Sequence, residues 1–304
     1  MELEKVKISP EGPSFSPIIY GTMTWGHWGH KLDREGMEKL IKNSLDWGIT
    51  TFDHADIYGD YTNEADFGRV LKHEPSLRDR IELITKCGIC RKCKQRPEYE
   101  IHHYNTSKEH ILKSAETSLK NFGTDYLDLL MIHRPDALMD PDEIAEAFHQ
   151  LKKEGKVLHF GVSNFTVPQF EMLNDRIPLV TNQIEANIMN MSSFYDGMAD
   201  LCQKLGIRPM AWGPLVGGRI FTSLNEPQVR EVHEVGHALM KEKNISELGV
   251  LLLAWLLKHP VGFLPIVGSA RPERMKLAIE ALGVSMTRME WYELWRAIQG
   301  VEVP

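Results

Sequence analysis

The sequence predicts a (β/α)8 barrel. Two observations carry that prediction: short β-branched or apolar runs alternate with longer stretches of helical period from Ile18 onward, and there are eight of each. Eight alternations in about 250 residues match the size of this barrel, whereas a doubly wound sheet has fewer strands and opens on a Gly-rich turn. In chain order the strands are expected at 18–21, 50–53, 81–86, 126–133, 156–163, 179–185, 208–212 and 263–268. The helices are expected at 34–47, 64–72, 107–122, 142–154, 168–174, 195–205, 246–259 and 272–282. Ser107 and Ser246 read as N-caps, and Gly48, Gly123, Gly155, Gly206 and Gly283 as C-terminal stops. Two stretches exceed the repeat, 225–244 before the seventh barrel helix and 287–299 at the end, and both predict additional helices. With no linker, low-complexity tract or short repeat, residues 1–304 read as one domain.

Composition narrows the function classes. The chain has 304 residues, 42% of them apolar, and 35 basic against 42 acidic side chains give a net charge of -7. That excludes a disordered, collagenous or disulfide-stapled protein. No Lys/Arg-rich run offers an electrostatic footprint for nucleic acid, although a local basic pocket for one phosphate fits the composition. The N-terminal stretch has no apolar segment of the signal-peptide kind. The longest apolar run, 249–257, falls short of the ~20 residues that span a bilayer. A cytoplasmic protein without nucleic-acid or membrane partners is expected, and the sequence carries no oligomeric signal.

In a barrel enzyme the chemistry collects where the strands end. Here the second strand ends at Asp53, the third at Lys86, the fourth at His133, the fifth at Ser163-Asn164, the sixth at Gln183 and the seventh at Trp212-Gly213. One polar terminus on an apolar run is ordinary; six in succession point to a common mouth. Asp53, Lys86 and His133, with Tyr58 five residues beyond Asp53, form a proton-transfer set. A phenol titrates near ~10, and an adjacent ammonium lowers that value. Lys86 is the expected cation, held charged by Asp53, while His133 orients a carbonyl oxygen toward Tyr58.

These residues resemble the aldo-keto reductases. The likeness rests on Gly-Thr-Met-Thr-Trp-Gly (21–26), Thr-Phe-Asp-His-Ala-Asp-Ile-Tyr-Gly (51–59), Ile-Thr-Lys-Cys-Gly (84–88), Leu-Met-Ile-His-Arg-Pro (130–135) and Gly-Val-Ser-Asn-Phe (161–165). Asn-Gln-Ile-Glu (182–185), Ala-Trp-Gly-Pro-Leu (211–215) and Pro-Ile-Val-Gly-Ser (265–269) extend it over nearly the whole chain, and a group of bacterial oxidoreductases shares its Val-Pro ending. The resemblance implies that Asp53, Tyr58, Lys86 and His133 are the catalytic tetrad, with Tyr58 as general acid acting on a small carbonyl substrate. It also implies NADPH as the hydride carrier, since none of the four can supply a hydride. Ser163, Asn164 and Gln183 would then bond the nicotinamide carboxamide, and Trp212 would stack on the ring. Gly213, Pro214, Leu215, Gly217 and Gly218 form a loop whose bare backbone suits a pyrophosphate. Gly268, Ser269, Arg271 and Arg274 open the last barrel helix behind Pro272, where a 2'-phosphate would sit. Two departures from the family bear on the preference for NADPH: Gly268 stands where the family often has lysine, and Ala278 where it often has an asparagine facing the adenine.

Trp25 resembles the family's substrate-facing aromatic, and Trp28 and Tyr61 are expected to join it. Cys87, Cys90 and Cys93 have a spacing from which thiolates can meet zinc, with His102 or His103 as fourth ligand, but no second cysteine pair completes the pattern and no metal is expected. Two other functions fit fewer residues: an aldolase forming a Schiff base at Lys86, which leaves Tyr58 and Ser163-Asn164 without a role, and a module that holds NADPH as a redox sensor.

Overall fold

The computed structural model describes residues 3–303; Met1, Glu2 and Pro304, on which the N-terminal reading and the Val-Pro ending partly rest, lie outside the described residues. A two-residue hairpin comes first, β1 (Val6–Lys7) against β2 (Ser14–Phe15). Then follow β3 (Ile19–Gly21), α1 (Arg34–Asp46), β4 (Thr51–Asp53), α2 (Asn63–His73) and β5 (Glu82–Cys87). A second hairpin, β6 (Ile89–Cys90) with β7 (His103–Tyr104), intervenes before α3 (Lys108–Phe122). The repeat resumes with β8 (Leu127–Ile132), α4 (Pro141–Lys153), β9 (Val157–Ser163), α5 (Val167–Asn174), β10 (Asn182–Glu185), α6 (Met198–Leu205) and β11 (Met210–Trp212). It ends with α7 (Pro227–Lys243), α8 (Leu248–Leu257), β12 (Leu264–Val267), α9 (Pro272–Glu280) and α10 (Arg288–Gln299). Strands β3, β4, β5, β8, β9, β10, β11 and β12 pair in parallel in that order, and the ring closes where Ile266 of β12 lies opposite Ile19 of β3. The eight expected strands are thus the barrel, and both expected extra helices are present as α7 and α10.

Local chemistry explains the boundaries. The Ser107 hydroxyl accepts the His110 N–H at the start of α3, and Gly123 ends that helix at φ 68. α4 starts on Pro141 behind Asp140, whose carboxylate accepts the Asp142 N–H, and it buries Ile144, Phe148 and Leu151 along one stripe. Two expected boundaries differ. Glu247, not Ser246, precedes α8 and makes no side-chain cap bond. Gly283 does not end α9, which stops at Glu280 and runs into a 3-10 turn, Ala281–Gly283.

Helix α8 is apolar nearly all round, and α10 supplies the missing cover. Trp255 of α8 stacks on Trp291 of α10 with centroids 4.8 Å apart and planes 8° from parallel. Each indole N–H donates to the other residue's carbonyl at 3.0 Å. Inside the barrel, Ile19, Ile84, Leu129, Met131, Met210 and Leu264 form a buried apolar floor, completed from below by Ile8 and by Phe15 of β2. Burying each such side chain contributes roughly 1.5–3 kcal/mol. The hairpin is fastened by Lys5, which donates to Glu82, and the same carboxylate accepts the Thr50 and Thr51 hydroxyls at 2.7 Å each. Apart from this fastening, the polar side chains that follow the strands gather at the opposite, upper end. Among the described residues no helix is long and apolar enough to cross a membrane.

Candidate active site

Strand alternation turns Asp53 and Lys86 into the barrel at its upper end, where both are buried. The Lys86 ammonium, fully enclosed, donates to Asp53 Oδ2 at 2.8 Å, to the His54 carbonyl at 2.7 Å and to the Tyr58 hydroxyl at 3.3 Å. A turn brings Tyr58 back over the strand end, its N–H donating to the Ala55 carbonyl. The His133 ring meets the Tyr58 ring edge-on, with centroids 6.0 Å apart and planes at 81°, and His133 Nδ1 is buried without a partner. The four residues expected to act together therefore converge.

Electrostatics fixes their protonation. Burial alone would discharge Lys86, but Asp53 and Tyr58 outweigh it and hold its pKa above the ordinary lysine value. Burial raises the Tyr58 pKa, and the opposing pull of Lys86 does not reverse it. The sequence expectation of a lowered phenol is corrected here: enclosure of the hydroxyl costs the phenolate more than one ammonium, itself neutralised by Asp53, returns. Burial, then the charges of Lys86 and Arg134, keep the His133 pKa well below the ordinary histidine value. The site thus holds a neutral phenol, a charged ammonium and a neutral imidazole. A Schiff base at Lys86 would need an exposed neutral amine, and this ammonium is enclosed, charged and bonded on three sides.

A hydrogen-bonded chain leads across the mouth from Asp53. Gln183 Nε2 donates to Asp53 Oδ1 at 2.8 Å, the Ser163 hydroxyl donates to the Gln183 carbonyl at 2.9 Å, and Asn164 Nδ2 donates to Ser163 Oγ at 2.7 Å. The Trp212 indole N–H ends the chain on Asn164 Oδ1 at 2.9 Å, which fixes the ring's orientation. The link from Gln183 to Asp53 was not foreseen, because it joins strands on opposite sides of the barrel. Beyond Trp212, Gly213, Gly217 and Gly218 take positive φ (62°, 59° and 90°), and at Gly217 and Gly218 a Cβ would meet nothing within 4 Å. Pro214 and Leu215 complete this loop. Across the mouth Ser269 is buried and its hydroxyl accepts the Arg271 N–H at 3.2 Å. Gly268, Arg271 and Arg274 are exposed around the start of α9, and neither arginine has an acidic partner among the described residues.

The expected aromatic wall needs one correction. Trp25 is 1% exposed and lies among Tyr20, Phe52 and Phe67, because the loop after β3 folds back on itself through the Trp25 N–H to the Thr22 carbonyl. It is a core residue and presents nothing to a substrate. Met23, two residues earlier in the same loop, is nearly half exposed; loop residues carry no period that would mark which one faces out. Trp28 does reach the site, its ring 6.2 Å from that of Tyr58. Tyr61 is tied up, its hydroxyl donating to the Ile89 carbonyl at 3.1 Å and accepting the Arg91 N–H at 2.8 Å. The cysteines do not assemble: Cys87 lies in the barrel wall, Cys90 Sγ is 3.9 Å from His110 Nε2, and Cys93 bridges to Arg96 in a turn. Among the described residues no group of three or more metal-ligating side chains forms.

The comparisons with known proteins follow this geometry. Residues 17–298 match the model of the aldo/keto reductase family. The chain is 46% identical over 304 residues to the uncharacterized oxidoreductase YcsN of Bacillus subtilis, covering 99% of this chain and 100% of that one. It is 42% identical over 290 residues to a 6-dehydroglucose reductase of Agrobacterium fabrum, covering 95% and 96%. A solved structure of a thermostable aldo-keto reductase with the inhibitor epalrestat superposes with a TM-score of 0.80 at 25% identity, over 97% of this chain and 100% of that one. The chain belongs to the aldo/keto reductase family of oxidoreductases.

Proposed function

We propose that the protein is a cytoplasmic, single-domain NADPH-dependent carbonyl reductase that converts a small aldehyde or ketone to its alcohol, with Tyr58 as general acid. The observation that carries this reading is a neutral, buried phenol 3.3 Å from a charged, fully enclosed ammonium. NADPH, when bound, supplies the hydride that goes to the carbonyl carbon. Tyr58 gives its proton to the carbonyl oxygen as charge develops there. The phenolate left behind faces Lys86, whose ammonium Asp53 holds in place, and solvent returns the proton. His133, neutral, donates a hydrogen bond that aims the carbonyl oxygen at Tyr58.

The donor set fits a dinucleotide with an extra phosphate. Ser163, Asn164 and Gln183 supply amide and hydroxyl groups for a carboxamide, and Trp212 offers a ring already pinned by Asn164. The Gly213–Gly218 loop leaves its backbone bare for a pyrophosphate, and Ser269, Arg271 and Arg274 surround a helix N-terminus where phosphate is favoured. The relative named for 6-dehydroglucose brings a neutral sugar aldehyde into the set of substrates to try.

Tyr58→Phe tests the reading. The variant keeps NADPH binding, followed by quenching of tryptophan fluorescence, while kcat falls about 10²- to 10⁴-fold. Near-normal turnover in that variant removes Tyr58 from the role, and absence of NADPH binding in the unmutated protein overturns the cofactor.

A further inference from the structure

We propose that Arg134 is an anion-binding residue of the substrate pocket, so that the preferred substrates are small carbonyl compounds that also carry a carboxylate or phosphate. This rests on the reductase reading above.

Arg134 directly follows His133 at the upper end of β8. It is half-buried, and its guanidinium lies 5.6 Å from the centroid of the Trp212 ring. It therefore stands beside the indole at the mouth, on the residue that follows His133. Its charge is felt at both reacting groups: it contributes to lowering the pKa of His133 and acts in the same direction on Tyr58.

The face of the Trp212 ring meets the charge of Arg134 only in part. Among the described residues no carboxylate lies within 4 Å of it, and no side-chain hydrogen bond engages its five N–H donors. The two other cations on this side of the mouth are compensated. Arg91 lies 5.0 Å over Trp28, itself against Tyr58, but its Nε donates to Asp60 Oδ1 at 2.8 Å. Lys86 is likewise neutralised by Asp53. Of these three cations Arg134 is thus the one without a carboxylate partner.

A partly desolvated guanidinium without a partner is costly, and a planar or tetrahedral oxyanion satisfies it with two parallel N–H bonds. An anion held there places the rest of a short substrate toward His133, with its carbonyl toward Tyr58. The same contact would be made in ground and transition state, so it acts mainly through KM.

The test compares charged and neutral partners of similar size, succinic semialdehyde with butanal and glyceraldehyde 3-phosphate with glyceraldehyde, in NADPH oxidation by the intact protein. The charged member of at least one pair is expected to have a kcat/KM ten or more times higher, and which pair shows it separates carboxylate from phosphate. Arg134→Gln should remove that preference, raising KM for the charged member ten- to hundredfold while the neutral member stays within threefold. Arg134→Lys should restore part of it, which excludes mere misfolding. Equal rates within both pairs, or an Arg134→Gln loss shared equally by charged and neutral substrates, overturns the anion site and leaves the reductase reading standing. No oxidation with any of the four overturns the anion site, and absence of NADPH binding beside it overturns the reductase reading as well.

Discussion

Replacing Lys86 with methionine exposes how the polar end of the barrel is balanced. The ammonium is wholly enclosed and makes three bonds, to Asp53, to the His54 carbonyl and to Tyr58. Methionine fills much of the same volume but leaves Asp53 buried with Gln183 Nε2 as its remaining side-chain donor. Removing one partner of a buried pair costs about 3–5 kcal/mol, chiefly because the other charge stays behind. The second change, Asp53→Asn on top of Lys86→Met, takes away that stranded charge and keeps an amide in its place. The double variant should recover at least about 2 kcal/mol of the loss, since neutralising both partners of a buried pair is often nearly neutral. Urea unfolding of the four proteins of the cycle, followed by circular dichroism at constant m-value, measures both quantities. A Lys86→Met variant within about 1 kcal/mol of the parent, or a double variant no more stable than Lys86→Met, would refute the account of Asp53 as a charge held in place by Lys86.

Two further predictions follow from the same site. Because burial lifts the Tyr58 pKa above the ordinary ~10, the acid stays protonated and the reduction rate should show no alkaline fall between pH 6 and pH 9; a limb centred near pH 7.5 in the rate profile would mean that Lys86 outweighs burial. At the phosphate end, Arg274→Ala should weaken NADPH binding roughly tenfold, about 1.4 kcal/mol, and leave NADH binding unchanged; fluorescence titration with both nucleotides checks it, and equal weakening would place Arg274 away from the 2'-phosphate.

Much of this molecule is legible in its sequence because a parallel barrel strand is a buried apolar run that stops abruptly at a polar residue. Asp53, Lys86 and His133 are such stops, and register alone brings them to one rim. What was illegible has physical causes. Two-residue strands such as β1 and β6 have no period to detect. Trp25 and Met23 lie in one loop, and only its fold-back decides which is buried. The direction of the Tyr58 shift depends on a competition between enclosure and one nearby charge, and neither magnitude is written in residue spacing. The bond from Gln183 to Asp53 spans the barrel's width, a relation between strands that only closure of the ring creates.

The N-terminal hairpin lays Ile8 and Phe15 under a barrel interior already filled by Ile19, Ile84, Leu129, Met131, Met210 and Leu264, so the lower end of the barrel is no passage and the upper mouth is its one door. If two reactants share that mouth they must queue: whichever sits deeper arrives first and departs last, and its spent form blocks the next arrival until the shallower product has gone. Such a queue yields intersecting rather than parallel lines when both reactants are varied. It also makes the spent deeper reactant compete with its own fresh form for the empty protein. The two apolar side chains of the hairpin thus add cover at one end of the barrel while touching none of the groups gathered at the other.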